Sequence, residues 1–295
     1  MVYGYKIGGI DMLLKLFAGI SAAATALNIA STRITLSGAK LAGLSLLRFA
    51  EFYVGSLAAY VAAVYAATEL TVKKEEPQEK PSKFWQWNMN ELAGIVCTLV
   101  GAKVTVTGAE KLPKDRRYLM VCNHRSIFDP IASVKVFGAQ EHIYISKPEN
   151  FKIPIGGAVM HKCGCLPLNR DNNREALTTV KHASEIIKND VASVVIYPEG
   201  TRSREDKLLP FHAGSFKIAQ RVGAPVVVTA LCGTDEVVHN LPFKGTNIEI
   251  DIIDVLDGEF VKSHSTKEIA ELAQKMMQEN LDRKHAKKER LPENV

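Results

Sequence analysis

From residue 103 onward the chain alternates short apolar runs with segments of helical periodicity. The apolar runs end at polar or glycine-containing stretches, as is typical of buried strands. Predicted strands are residues 104–107, 118–122, 142–146, 166–168, 193–197, 225–231 and 248–255. Predicted helices are residues 130–137, 158–163, 173–188, 215–221 and 266–284. Strands that alternate with helices in this way predict an α/β fold whose sheet carries helices on both faces.

Two apolar stretches, residues 16–32 and 52–68, precede this alternation and contain no charged residue. Each is 17 residues long, which is the lower limit of the ~17–25 residues that cross a bilayer. Both are rich in Ala, Gly, Ser and Thr. They therefore fit helices that span a membrane, helices that lie in its interface, or a soluble helical hairpin. We predict a helical, membrane-associated segment over residues 1–72.

A polar stretch with two prolines, residues 73–82, separates this segment from the rest of the chain. Its composition is typical of a linker. The predicted organisation is a membrane-associated segment, this linker, and one domain over residues 83–295. That domain opens with an amphipathic helix over residues 84–99, whose aromatic side chains suit either a membrane interface or a packed core.

Charge and cysteine content narrow the functional classes. The net charge of +5 is small and dispersed, and the chain has no zinc-finger spacing, so no nucleic acid partner is predicted. An anionic membrane surface or an acidic substrate is compatible with that charge. The five cysteines lie mostly within apolar runs, which predicts buried, reduced thiols. Cys163 and Cys165 have His161 nearby but lack the second half of a zinc site, so no metal is predicted.

A base-like pair follows the second predicted strand, where open α/β sheets form their clefts. On one helix, His124 and Asp129 would point about 140° apart. They can meet only if His124 lies in the loop and Asp129 on the first turn of the next helix. Asp129-Pro130 predicts a helix start, with Asp as N-cap and Pro as first residue. A histidine held by a carboxylate suits general-base catalysis on a hydroxyl. The alternative is a plain helix cap beside an ordinary loop histidine.

Cationic side chains follow other predicted strands. Gly200 allows a tight turn, and Arg202 and Arg204 beside it offer planar guanidinium groups that pair with phosphate in a bidentate way. Lys147 and Arg170 also follow extended segments, so both can point into the same cleft. Taken singly, each of these charges also fits an ordinary solvated surface position.

Four ordered blocks resemble those of the glycerolipid acyltransferase family. They are Asn-His-Arg-Ser-Ile-Phe-Asp (123–129), Gly-Cys-Leu-Pro-Leu-Asn-Arg (164–170), Tyr-Pro-Glu-Gly-Thr-Arg-Ser (197–203) and Ala-Pro-Val-Val (224–227). One block alone would be weak, whereas four in this order are specific. The resemblance covers roughly residues 84–255 and is strongest to the branch that acylates lysophosphatidic acid. It implies a mixed, largely parallel sheet flanked by helices.

The resemblance implies a role for each motif residue. His124 is the general base that deprotonates the acceptor hydroxyl, and Asp129 orients it. The implied phosphate-binding set is Arg202, Lys147, Arg170 and Arg204, and the implied acceptor pocket is Glu199, Gly200, Thr201 and Ser126. His212 departs from the pattern, since related sequences commonly have a lysine at this point.

The implied reaction moves a fatty acyl group from acyl-CoA or acyl carrier protein to the sn-2 hydroxyl of lysophosphatidic acid, giving phosphatidic acid. Neither a cofactor nor a metal nor an acyl-enzyme is expected. The expected partners are lysophosphatidic acid, the acyl thioester and the lipid bilayer, and the expected location is the cytoplasmic face of the cell membrane. The basic tail, residues 281–290, fits a solvated helix end or a contact with anionic lipid or acyl carrier protein.

Three alternatives remain open at the level of sequence. Glycerol-3-phosphate or another lysophospholipid can replace the acceptor without changing the chemistry. A serine hydrolase or thioesterase would use Ser126 as nucleophile, although the chain lacks a Gly-x-Ser-x-Gly motif. A lipid-binding scaffold without catalytic activity is the third.

Overall fold

The computed structural model describes residues 11–32, 38–72, 81–139, 141–205, 207–242 and 244–290. The α-helices within these ranges are α1 (Asp11–Ser31), α2 (Gly38–Thr71), α3 (Lys83–Leu99), α4 (Phe128–Phe137), α5 (Gly156–Lys162), α6 (Asn173–Lys188), α7 (Lys217–Gln220), α8 (Glu236–Asn240), α9 (Gly258–Ser263) and α10 (Thr266–Arg290). The strands are β1 (Ala102–Thr107), β2 (Leu119–Cys122), β3 (His142–Ser146), β4 (Leu166–Pro167), β5 (Ser193–Ile196), β6 (Val226–Cys232) and β7 (Thr246–Leu256). Most of the predicted linker, residues 73–80, lies outside the described residues.

These strands form one sheet in the order β1-β7-β6-β2-β5-β3-β4. The neighbours β6, β2, β5, β3 and β4 are parallel. In contrast, β7 is antiparallel to β6 and parallel to β1. The carboxyl ends of five adjacent strands therefore meet along one edge of the sheet, while those of β1 and β7 lie at the opposite edge. The predicted mixed, largely parallel sheet is confirmed.

Helices cover both faces of the sheet, as predicted. Leu119 and Val121 of β2 belong to an apolar core that includes side chains of α6, α7, α9 and α10. Met120 and Cys122 belong to a second core with α3, α4 and α5. Successive side chains of a strand point to opposite faces, so β2 contributes to both cores. A strand covered on both faces reads as a continuous apolar run, which is why β2 was recognisable in the sequence.

Several element ends differ from the prediction. The range of α6 is the predicted one, but α5 begins at Gly156 and the predicted helix over 215–221 is a 3-10 helix (Ala213–Phe216) followed by the short α7. Two short helices, α8 and α9, were not predicted. The strand predicted over 248–255 is longer in the structure because β7 pairs with a neighbour on each side.

The start of α4 corrects one prediction. Its N-cap is Ile127 and its first residue Phe128, so Asp129 is not the N-cap and Pro130 is not the first helical residue. Pro130 is tolerated at the third position because the first four N–H groups of a helix have no intrahelical acceptor. The Asp129 carboxylate instead turns back towards the loop that precedes α4, where it accepts N–H bonds from that loop.

The helices α1 and α2 pack on the amino-terminal part of the domain. Leu13 and Phe17 of α1 form a small apolar cluster with Ile95 of α3. Both helices are long and apolar enough to cross a membrane. Much of their apolar surface is exposed, for example Leu46 at 71% and Leu70 at 85%. Exposed apolar patches of this kind mark sites of contact with a membrane or with another protein.

Candidate active site

Polar residues follow the carboxyl ends of all five parallel strands. His124 comes after β2, Lys147 after β3, Arg170 after β4 and Thr234 after β6, while the glycine–arginine loop, residues 197–204, follows β5. Because these strand ends share one edge of the sheet, residues that are distant in sequence lie together there. The candidate site is built at this edge.

His124 and Asp129 are hydrogen-bonded to each other. Nδ1 of His124 lies 2.7 Å from Oδ2 of Asp129, with His124 in the loop and Asp129 in the first turn of α4, the arrangement their spacing requires. Since Nδ1–H donates to the carboxylate, the neutral ring keeps its lone pair at Nε2. The Asp129 side chain is fully buried, whereas that of His124 is 22% exposed. The imidazole can therefore accept a proton from a ligand that enters the site.

The Asp129 carboxylate accepts three further hydrogen bonds. The backbone N–H groups of Arg125 and Ser126 donate to Oδ2 at 2.7 and 2.8 Å. The hydroxyl of Thr234 donates to Oδ1 at 2.5 Å. A buried carboxylate is stable only when such donors replace water. This set of donors fixes the position of Asp129 relative to the imidazole.

The backbone of His124 is held by the loop after β5. Oε1 of Glu199 accepts the His124 N–H at 2.7 Å, and the Ser203 N–H donates to the His124 carbonyl at 2.8 Å. Oε2 of Glu199 accepts the Leu209 N–H at 2.9 Å. Burial raises the pKa of Glu199, and the two N–H donors oppose that shift. The Tyr197 ring packs against the imidazole with 4.7 Å between centroids.

A cavity of about 480 Å³ opens beside the imidazole. His124, Lys147, Arg170 and Arg202 all line it, together with Gly200 and Thr201. Three cationic side chains and the His124 imidazole thus line the same cavity. Arginine and lysine side chains that converge in this way are suited to a phosphate or another anion.

Gly200 makes room for the side chain of Arg170, which follows β4. Its φ is +75°, and a Cβ at this position would lie 2.3 Å from Nη1 of Arg170 and 3.1 Å from Nε2 of His212. The guanidinium therefore lies directly over the Gly200 backbone, with His212 beside it. Burial lowers the pKa of Arg170, and burial together with the charge of Arg170 lowers the pKa of His212. A larger residue at position 200 would displace the guanidinium.

The remaining walls of the cavity are mainly apolar. They come from α3, from the start of α4 and from α5, through Met89, Leu92, Val96, Ile127, Ile131, Val134, Val159 and Met160. A cavity lined by both cations and aliphatic side chains matches a ligand that has an anionic head and a hydrocarbon chain.

Four of the predicted site residues lie outside the lining of this cavity. Asp129 contacts the imidazole through Oδ2 and is fully buried. Glu199 holds backbone groups, as described above. Ser126 is buried, and its Oγ accepts the Phe128 N–H at 3.2 Å. Arg204 is exposed. As for the other site residues, the roles predicted for these four stay predictions.

Residues 103–231 match the family model described as Acyltransferase, a range that contains all four sequence blocks. Over these residues the chain is similar to the acyltransferase family. The crystal structure of the 1-acyl-sn-glycerophosphate (LPA) acyltransferase PlsC from Thermotoga maritima is similar to this chain, with 26% identity and a TM-score of 0.57. The similarity covers 77% of this chain and 89% of that one. The resemblance seen in the sequence is confirmed.

Curated relatives resemble this chain over part of their length. The chain is 38% identical over 136 residues to the chloroplastic 1-acyl-sn-glycerol-3-phosphate acyltransferase BAT2 of Brassica napus, covering 46% of this chain and 39% of the relative. It is 34% identical over 158 residues to a 1-acyl-sn-glycerol-3-phosphate acyltransferase of Chlamydomonas reinhardtii, covering 53% and 46%. The chain thus spans less than half the length of these two relatives.

Several contacts of the candidate site were not predicted from the sequence. The Asn123 side chain donates to the Leu231 carbonyl at 2.9 Å and accepts the Leu231 N–H at 2.7 Å. Nη2 of Arg125 donates to Oδ2 of Asp235 at 2.9 Å. Thr234 and Asp235 come shortly after the strand predicted over residues 225–231. Like the other site residues, they are polar residues that follow a strand, so the same pattern could have identified them.

We expect Glu199→Gln to destabilise the fold by about 1–3 kcal/mol, because one amide oxygen cannot serve two N–H donors and a buried donor is left unsatisfied. Glu205→Gln is the matched control, since Glu205 is exposed in the same loop and should change stability by less than about 0.5 kcal/mol. Chemical denaturation of both variants measures the difference. Equal stability of the two variants would contradict the account of Glu199.

Proposed function

We propose that this acyltransferase moves a fatty acyl group from an acyl thioester to the sn-2 hydroxyl of lysophosphatidic acid, giving phosphatidic acid. The observation that carries the proposal is the shared cavity: the His124 imidazole and three cations face one space whose other walls are apolar. The acceptor of this reaction has a hydroxyl, a phosphate and an acyl chain. These match the imidazole, the cations and the apolar walls, respectively. The names of the curated relatives and of the similar crystal structure support the same acceptor.

In the proposed mechanism, Nε2 of His124 removes the proton of the acceptor hydroxyl as the oxygen attacks the thioester carbonyl carbon. A C–O bond forms, and the carbonyl becomes a tetrahedral oxyanion that backbone N–H groups stabilise. Collapse of this intermediate breaks the C–S bond, and the departing thiolate takes the proton from the imidazolium. Asp129 stabilises the imidazolium between these two steps. No acyl-enzyme is required.

The phosphate of the acceptor is proposed to bind between Lys147, Arg170 and Arg202. Arginine binds phosphate through two parallel N–H bonds, which fixes orientation as well as charge. Anchoring the phosphate holds the glycerol hydroxyl near the imidazole, and such positioning accounts for much of the rate in two-substrate reactions. An acceptor without phosphate should therefore react poorly.

The acyl donor is proposed to be acyl-CoA or acyl carrier protein, with no further cofactor and no metal. Both donors present the same thioester carbonyl to the attacking oxygen. Within the part of the chain that the structure describes, no group of three His, Cys, Asp or Glu side chains is arranged to hold a metal ion. The proposed chemistry rests on His124, Asp129, the cations and backbone N–H groups.

Membrane association through α1 and α2 follows from the same proposal. The acceptor carries a long acyl chain and partitions into a bilayer, and the exposed apolar surface of these two helices fits that phase. We propose that the domain works on the cytoplasmic face of the cell membrane, with α1 and α2 spanning the bilayer or lying in its interface.

The central test is an acyl-transfer assay with the full chain, both donors, and lysophosphatidic acid, glycerol-3-phosphate and lysophosphatidylcholine as acceptors. We expect transfer to lysophosphatidic acid, and we expect His124→Ala to lower kcat by at least about 100-fold because the general base is lost. Ser126→Ala is the control and should stay close to wild type. An active His124→Ala variant would refute the mechanism, and an acyl-serine trapped at Ser126 would support a hydrolase instead.

We expect Arg170→Leu to raise the KM for lysophosphatidic acid by about 10-fold or more, since a buried guanidinium that pairs with phosphate contributes about 1.5–3 kcal/mol. Arg174→Leu is the matched control, because Arg174 is an exposed arginine at the start of α6. Initial rates over a range of acceptor concentrations measure both constants. Equal KM values for the two variants would exclude Arg170 from phosphate binding.

Flotation with vesicles of phosphatidylcholine and phosphatidylglycerol tests the membrane proposal. The double variant Leu46→Asp/Val54→Asp should lose most vesicle binding, because both residues are exposed apolar residues on α2 and burying a carboxylate in lipid is costly. Val238→Asp, also an exposed apolar position but on α8, should bind like wild type. Circular dichroism checks that the variants stay folded. Unaltered binding of the double variant would reject α2 as the membrane-contacting surface.

A further inference from the structure

The turn that follows β6 makes contacts that the proposed reaction does not yet explain. Gly233 has φ +83°, and a Cβ there would lie 2.4 Å from the Asn247 carbonyl oxygen. Only glycine fits this close approach to β7. The chain therefore turns sharply at the end of β6 and brings the next residue, Thr234, against Asp129, the partner of His124. Thr234 is fully buried.

Three side-chain contacts join this part of the chain to the loop that carries His124. The Asn123 amide pairs with both backbone groups of Leu231. Arg125 forms an ion pair with Asp235 at 2.9 Å. Between these two contacts, the Thr234 hydroxyl donates to Oδ1 of Asp129. The residues on both sides of His124, and its carboxylate partner, are thus all tied to β6 or to the turn after it.

The Thr234 contact differs from the other hydrogen bonds of Asp129 in the atom that it reaches. His124 Nδ1 and the N–H groups of Arg125 and Ser126 all bind Oδ2. Bonds to one oxygen leave the carboxylate plane able to pivot about that atom. A donor on Oδ1 defines a second point and therefore fixes the plane. Hydrogen-bond strength at a carbonyl or carboxylate oxygen depends on that plane, so Thr234 controls how Oδ2 faces the imidazole.

We propose that Thr234 is a positioning residue for the acyl transfer: through Oδ1 it fixes the Asp129 carboxylate, and through Asp129 it fixes the imidazole. The inference rests on the function proposed above. Thr234 does not touch the substrate in this scheme and transfers no proton. The residue suits the task because its branched side chain is restricted at χ1 and its burial excludes water as an alternative donor to Oδ1.

The kinetic test compares Thr234→Val, which keeps the shape and removes the hydroxyl, with Thr234→Ser, which keeps the hydroxyl. Thr229→Val is the matched control, since Thr229 is fully buried in β6 and its Oγ1 has no hydrogen-bond partner among the described residues. We expect Thr234→Val to lower kcat by about 10-fold or more, with the KM for lysophosphatidic acid changed by less than about 2-fold. Thr234→Ser should recover most of kcat, and Thr229→Val should behave like wild type.

A purely structural role would give a different result. Thr234→Val and Thr229→Val would then lose activity together, or Thr234→Ser would fail to recover kcat, and either outcome overturns the proposal. If Thr234→Val does not fold, as judged by thermal unfolding, Thr234→Ala replaces it. The Ala and Ser variants differ by a single hydroxyl, and equal kcat values for that pair would also overturn the proposal.

A measurement without substrate separates this inference from the proposed function. The proton on Nδ1 of His124 gives an NMR signal that His124→Gln identifies by its loss. We expect Thr234→Val to shift or broaden this signal and Thr234→Ser and Thr229→Val to preserve it. Should wild type not acylate lysophosphatidic acid while the signal still responds to Thr234, the proposed function fails and the positioning role stands. A signal that is unchanged in Thr234→Val refutes the positioning role.

Discussion

The carboxyl end of β2 lies between those of β5 and β6, and the candidate site depends on this adjacency. From the β5 side, Glu199 and Ser203 hold both backbone groups of His124. From the β6 side, Thr234 holds the carboxylate that binds the imidazole. Hydrogen bonds between neighbouring loops are strong constraints because the sheet fixes the distances between their starting points. The histidine is therefore held from both sides before any ligand binds.

The cavity beside this histidine has two chemically distinct kinds of lining. Lys147, Arg170 and Arg202 supply cationic side chains, and α3, α4 and α5 supply aliphatic ones. Helix α3, which contributes to the aliphatic lining, also packs against α1, where Ile95 contacts Leu13 and Phe17. In the proposed function, α3 therefore contacts both the cavity and a helix placed against lipid.

Much of this arrangement was predictable from the sequence, for identifiable reasons. The meeting of His124 and Asp129 followed from a spacing that one helix cannot satisfy, and the convergence of Lys147, Arg170 and Arg202 followed from their positions behind strands. The start of α4 was not predictable from Asp129-Pro130, because the aspartate serves the preceding loop instead of capping the helix. The two N–H bonds of Glu199 were also hidden, since its second donor, Leu209, reaches it only in the folded chain.

Because the chain direction reverses between β6 and β7, the two edges of the sheet carry different sets of loops. Loops after β3, β4 and β5 open onto the rim that holds the imidazole, whereas the loops that leave β1 and β7 open onto the far rim. Lengthening the first group alters the space available to a headgroup, and lengthening the second leaves the reacting atoms untouched. The far rim is thus the place where evolution or an engineer can add sequence, such as an affinity tag or a docking module, while the chemistry continues unchanged.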